Sequence, residues 1–116
     1  MSDVTLFVYG TLRRGGVSEG RMHAATWLGP AVTAPRYEMV RIAWYPGLRA
    51  GTTSITGDLY SVPVSALPAL DTFEGPEYSR GTVQLADGTN ASAYMLRPEF
   101  DRGYPAVPSG DWLQEA

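Results

Sequence analysis

A site can be built only from acids, histidines, nucleophiles and glycine turns, and this sequence offers few of each. Glu74 stands at the end of an apolar segment, directly after Phe73 and before Gly75-Pro76. A carboxylate fixed at such a point and held partly out of water has its pKa raised toward neutrality. That makes it a usable general acid/base. The other reading is a solvated glutamate at a helix end, and position alone leaves both open. The second feature is Tyr9-Gly10-Thr11-Leu12-Arg13-Arg14-Gly15-Gly16. A glycine turn at a strand end exposes backbone N–H groups that can bind a carboxylate or an oxyanion. A tight strand exit is the plain alternative. The segment lacks the Lys-Ser/Thr ending of a P-loop and the glycine spacing of a dinucleotide fold.

Other chemistries lack their parts. His23 is the single histidine and there is no cysteine, so disulfides and thiolate metal sites are excluded and a zinc site is short of ligands. No Gly-x-Ser-x-Gly elbow is present for a serine nucleophile. All nine Lys/Arg positions are Arg, which removes lysine Schiff-base chemistry and is the bias of a GC-rich bacterial genome. Asp87 and Asp111 sit in turn-like contexts and read as partners of the backbone. Tyr37, Tyr45, Tyr60, Tyr78 and Tyr94 could line a pocket or serve as core and rim residues.

The elements that must position these residues are mostly strands. Residues 3–9 are β-branched and aromatic on both alternating faces, which predicts an interior strand. Residues 18–26 suggest a short helix with Ser18 as N-cap and Glu19 in its first turn. From Trp27 to Trp44 the chain reads as two short strands, broken near Gly29-Pro30 and Pro35. Tyr45-Pro46-Gly47-Leu48 has the composition of a turn. Residues 53–62 are strand-like, with Gly57 as a bulge candidate.

Leu67, Leu70 and Phe73 recur at helical spacing after Ser65, Pro68 is acceptable only in the first turn, and Gly75-Pro76 ends the helix. Residues 80–86 and 91–97 form a hairpin around Asp87-Gly88. Many short strands with one clear helix predict an α+β fold and not a parallel doubly wound sheet.

At 116 residues the chain suits one compact domain over 1–116 with a core of its own. The net charge of −3 argues against nucleic acid as a partner. No apolar run approaches a membrane span. MSDVTLFVYG is not patterned as a signal peptide, and with the missing cysteine this gives a cytoplasmic expectation.

Several segments together resemble a known family. Phe7-Val8-Tyr9-Gly10-Thr11-Leu12-Arg13-Arg14-Gly15 is similar to the opening signature of the gamma-glutamylcyclotransferase-like superfamily. Tyr45-Pro46-Gly47-Leu48, Gly57-Asp58-Leu59-Tyr60 and Leu70-Asp71-Thr72-Phe73-Glu74-Gly75 followed by Tyr78 and Arg80 resemble its later blocks. Ala93-Tyr94 and Ser109-Gly110-Asp111-Trp112 also fit, all in the family's order. The likeness is greatest to the short bacterial and gamma-glutamylamine branch.

The resemblance implies a small mixed β-barrel with short flanking helices and a cavity open at one end. It implies Glu74 as the catalytic acid/base. It implies Tyr9, Gly10, Thr11, Leu12, Pro46, Gly47 and Tyr94 as substrate-binding residues, and assigns no role to Tyr78 or Arg80. A Cβ at Gly10 would then fill space the substrate needs. The implied reaction closes a gamma-glutamyl amine or amide to 5-oxoproline and a free amine, with no metal or cofactor. A non-catalytic binding module on the same barrel and a hydrolase of a related acyl substrate are the alternatives.

Overall fold

The structure, a computed structural model, describes residues 3–115. Strand β1 is Asp3–Val8, β2 Thr26–Val32, β3 Tyr37–Arg41, β4 Pro46–Ala50, β5 Thr56–Pro63, β6 Tyr78–Gln84 and β7 Asn90–Leu96. One α-helix, α1, runs Leu67–Glu74. The larger sheet has the order β2-β5-β1-β7-β6, and β3 and β4 pair as a separate hairpin.

β1 lies inside its sheet, antiparallel to β5 and parallel to β7, so the sheet is mixed. Its alternation explains the placement. Phe7 packs into a core with Met39, Leu48, Ile55, Val83 and Trp112, while Leu6 and Val8 pack into a second core with Tyr60, Val62, Leu67 and Leu70. A strand flanked by two cores must be apolar on both faces.

The fold is α+β with short flanking helices, and the sheet only partly closes into a barrel. Its edges meet at one end, where Thr33 bridges Leu85, Ala34 N–H donates to the Gln84 carbonyl at 2.9 Å and Ala86 N–H to the Val32 carbonyl at 2.9 Å. No continuous β2–β6 ladder joins them among the described residues.

Several local expectations change. The helix expected over 18–26 is a single 3₁₀ turn, Glu19–Met22, and Ser18 makes no side-chain cap. Met22 is its one buried residue, too small an apolar face to sustain an α-helix. β2 continues through Gly29-Pro30, with the register irregularity between Trp27 and Gly29. Proline is tolerated there because β2 is an edge strand. Gly57 is therefore not a bulge but pairs regularly with Ala31. Tyr45-Pro46-Gly47-Leu48 is not the turn either. The chain reverses just before, where Ile42 and Ala43 N–H both donate to the Tyr45 carbonyl at 3.2 Å, and Pro46 opens β4. At a strand start the missing proline N–H costs nothing.

The other two signals hold with shifted ends. α1 has Ala66 at its N-cap, Pro68 in its first turn, and Gly75 at φ 84° closing it by a bond to the Asp71 carbonyl. The β6–β7 turn places Gly88 at φ 89°, with Asp87 accepting from Thr89 N–H at 2.9 Å. Asp111, by contrast, accepts from the Arg13 guanidinium at 2.8 Å, a side-chain partner in place of the backbone role expected for it.

Gly57 is needed for close approach. A Cβ there would lie 2.4 Å from the Val8 carbonyl oxygen and 2.6 Å from Phe7 Cζ. Gly57→Ala is expected to destabilise the fold by about 3 kcal/mol, because backbone cannot move aside as a side chain can. Urea midpoints check this; an unchanged midpoint contradicts it.

Candidate active site

The end of β1, the turn that follows it, the start of β4, the end of α1, and Tyr78 and Tyr94 on the last two strands converge. Phe7, Val8, Tyr9, Gly10, Thr11, Leu12, Tyr45, Pro46, Glu74, Tyr78 and Tyr94 line a pocket of about 350 Å³, counting its open mouth. Glu74 and six of the seven expected substrate residues are thus together. Gly47 is not among the lining residues. It is buried, and a Cβ on it would meet Ile42 Cδ1 at 2.8 Å.

Glu74 is the last residue of α1, keeps some exposure and lines the pocket. Burial pushes its carboxyl up to about 7. Desolvation acts unopposed, since no described residue offers the carboxylate a charge or hydrogen bond that would lower it. Three tyrosines surround it electrostatically. Burial above all, with the negative charge of Glu74 contributing, pushes the phenols of Tyr9, Tyr78 and Tyr94 above their ordinary range. They stay protonated, and each donates its proton away from Glu74.

Tyr9 Oη–H goes to the Tyr94 carbonyl at 2.6 Å, and Tyr78 Oη–H to the Pro46 carbonyl at 2.5 Å. Tyr94 Oη–H goes to Asp71 Oδ1 at 2.6 Å. Asp71 is clamped by Arg80 through Nε at 2.8 Å and Nη2 at 3.1 Å, which holds its carboxyl below the usual range despite partial burial. The Glu74 carboxylate has no hydrogen-bond partner among the described residues.

The turn after β1 supplies backbone to the same pocket. Arg13 N–H closes a turn onto the Gly10 carbonyl at 3.1 Å, Gly16 N–H reaches the Arg13 carbonyl at 2.7 Å, and Ser18 N–H reaches the Thr11 carbonyl at 2.9 Å. The N–H groups of Gly10, Thr11 and Leu12 donate to no other described residue. Such donors are suited to a developing oxyanion. A carboxyl with a pKa near 7 that lines one pocket with such backbone is equipment that acyl transfer or cyclisation can use.

Gly10 has a different reason from the one expected. A Cβ would lie 2.8 Å from both Cγ and Cδ of Pro46, so the space beside Gly10 belongs to that ring. Since the Pro46 carbonyl also receives Tyr78, moving the ring moves the pocket wall. Gly10→Val is expected to cost about 2 kcal/mol of stability, as overpacking does, and to lower kcat/KM roughly tenfold, as displacement of reacting groups does. Thermal melts and steady-state rates measure the two losses; a full loss of activity at unchanged Tm would return the site of the added carbons to the substrate.

The sequence left open where the tyrosines go. Tyr45 and Tyr78 join the pocket, and Tyr45 Oη–H also donates to Glu77 at 3.0 Å. Tyr37 instead accepts the Gln84 N–H at 2.8 Å, and Tyr60 packs in the second core. Phe7 and Val8 were not foreseen as lining residues; their place just before the turn was the available signal. Among the described residues, no group of three or more His, Asp or Glu is placed to hold a metal ion, and no helix is long and apolar enough to cross a membrane.

Comparison with known proteins gives one answer. A Vibrio cholerae protein provisionally named a gamma-glutamylcyclotransferase is 37% identical over 111 residues, covering 94% of this chain and 95% of its own. The Escherichia coli K12 gamma-glutamylcyclotransferase family protein YtfP is 32% identical over 110 residues, covering 93% and 95%. The crystal structure of a uropathogenic E. coli-specific protein superposes with a TM-score of 0.91 at 24% identity, covering 99% of this chain and 96% of that one, which shows a shared fold. The family model described as gamma-glutamyl cyclotransferase, AIG2-like, matches residues 6–114. The chain therefore belongs to the gamma-glutamyl cyclotransferase, AIG2-like family, whose members are enzymes of the cyclotransferase type.

Proposed function

We propose that this chain converts a gamma-glutamyl amine or amide into 5-oxoproline and the free amine, with Glu74 as the base and then the acid. One observation carries the reading: a carboxyl held near pKa 7 shares a narrow pocket with backbone N–H groups that have no partner of their own. Family membership supports the substrate class.

The substrate supplies its own nucleophile. Its α-ammonium has no lone pair until a proton leaves, and Glu74 as carboxylate takes that proton. The amine nitrogen then attacks the γ-carbonyl carbon and a five-membered ring closes. The carbonyl oxygen becomes an oxyanion, received by the N–H groups of Gly10, Thr11 and Leu12. The attacking nitrogen still carries two hydrogens. As the oxyanion collapses and the amide C–N bond breaks, that nitrogen gives its second proton to the leaving nitrogen and Glu74 returns the first, so the ring keeps one N–H and the amine departs as its ammonium. The sum is substrate to 5-oxoproline plus amine, with no water consumed. Tyr9, Pro46 and Tyr94 wall the glutamyl half and hold it folded over its carbonyl, which offsets much of the entropic cost.

The test is product analysis with the purified protein on gamma-glutamyl amino acids, a gamma-glutamyl-lysine isopeptide and simple gamma-glutamyl amines. 5-Oxoproline from any of them is the expected result. Release of glutamate would make the chain a hydrolase, and binding without turnover a binding module.

A further inference from the structure

Two of the motif segments that mark the sequence, Gly57-Asp58-Leu59-Tyr60 and Ser109-Gly110-Asp111-Trp112, contribute nothing to the pocket lining. Their acids meet instead at Arg13, the residue directly after the turn of unpartnered N–H groups. Arg13 is only 8% exposed and Asp58 only 4%. Arg13 Nε donates to Asp58 Oδ2 at 3.1 Å and Nη1 to Asp111 Oδ1 at 2.8 Å. Asp58 Oδ2 also accepts the Arg14 backbone N–H at 3.2 Å, and Oδ1 accepts Trp27 Nε1–H at 3.2 Å. One carboxylate on β5 thus holds two consecutive residues of the loop, and a second acid from the C-terminal segment fixes the far end of the same guanidinium.

We propose that the Arg13–Asp58–Asp111 network is the positioning device of the oxyanion turn, setting where the Thr11 and Leu12 N–H groups point. The proposal rests on the cyclotransferase reading for its catalytic consequence. Arg13 touches no reacting atom in this account. It acts through the backbone one and two residues away, and burial matters because charges screened from water hold one geometry against thermal motion. An oxyanion donor works only if fixed before the reaction, and a small misplacement is costly. The network also spans 45 and 98 residues of sequence, so the loop's aim depends on β5 and the C-terminal segment being in place.

The experiment uses the full chain with Asp58→Asn, which keeps the shape and an acceptor oxygen but removes the charge, and Arg13→Lys, which keeps the charge but cannot bridge two acids. Arg49→Gln is the control. It breaks a comparable pairing, with Glu38 and Asp101, that lies outside the pocket lining. kcat is expected to fall roughly 10- to 100-fold in both network variants, with KM changed less than threefold and the acid limb of the rate profile unmoved. Arg49→Gln is expected to keep its kcat at a similar loss of Tm.

Amide hydrogen exchange of Arg13, Gly16 and Ser18 is expected to accelerate in Asp58→Asn while β5 stays protected. Unchanged loop exchange, or a kcat loss in Arg49→Gln as large as in the network variants, overturns the proposal. Absence of 5-oxoproline from the wild-type protein overturns the cyclotransferase reading and with it the catalytic consequence, while the exchange measurement decides independently whether the network holds the loop.

Discussion

Glu74→Gln is expected to lower kcat for 5-oxoproline release by roughly 100- to 10,000-fold, the range that loss of a positioned general acid/base produces. Glutamine has nearly the same shape, so the pocket and its tyrosines keep their places, but it cannot accept the ammonium proton. The same substitution is expected to stabilise the protein above neutral pH. The folded pKa of about 7 lies above the unfolded value of about 4.5. Between those values the folded chain holds a proton that the unfolded chain has released. This group's contribution to stability therefore falls as pH rises through the window and is at its most unfavourable above pH 7.

A shift of this size amounts to an upper bound of about 3 kcal/mol at 1.36 kcal/mol per pKa unit. Urea denaturation of both proteins at pH 8 and pH 4.5 should show Glu74→Gln the more stable at pH 8 and the difference nearly gone at pH 4.5. A variant with near wild-type turnover would remove Glu74 from the mechanism; a stability difference independent of pH would show that its carboxyl ionises normally in the fold.

The second large effect is on rate against pH. kcat/KM reports the free enzyme, in which Glu74 must be ionised to act as base. Below its pKa of about 7 the base is progressively protonated, and kcat/KM should fall toward a slope of tenfold per unit, or about 50-fold between pH 7 and pH 5. In the complex the substrate ammonium, which titrates at about 8, lies beside the carboxylate and favours its charged form. The acid limb of kcat should therefore lie at lower pH than that of kcat/KM. Glu74→Gln should lose the limb along with the activity. The same limb in its residual rate would assign the titration to another group.

These expectations combine a residue that the sequence pointed to with a property that it could not supply. Glu74 was legible because an apolar face of Leu67, Leu70 and Phe73 ends beside Gly75, and because the surrounding block resembles a family. Its raised pKa is not local. Tyr9 follows β1, Tyr78 opens β6 and Tyr94 lies on β7; they line the same pocket as Glu74 and donate their protons elsewhere, and nothing in the spacing of residues 9, 78 and 94 encodes that. Gly10 shows the same division. Its presence in a strand-exit turn was readable, yet the ring of Pro46 that demands a glycine comes from β4, a strand whose first residues have the composition of a turn.

What the sequence alone determined were features whose cause lies within a few neighbours. The two-faced apolar alternation of residues 3–9 requires an interior strand, the Leu67-Leu70-Phe73 spacing makes a helix face, and Gly88 supplies the positive φ its hairpin turn needs. Tertiary structure decided the rest. Gly57 is a site of close contact with Phe7, Pro30 is tolerated because β2 is an edge, residues 18–26 lack the burial to become an α-helix, and Arg13 finds Asp58 and Asp111 across the chain. Local patterns record backbone preference and which face is apolar. Pair distances, desolvation and the shape left between elements arise only when segments far apart in sequence exclude water together, and the pocket around Glu74 is made of those quantities.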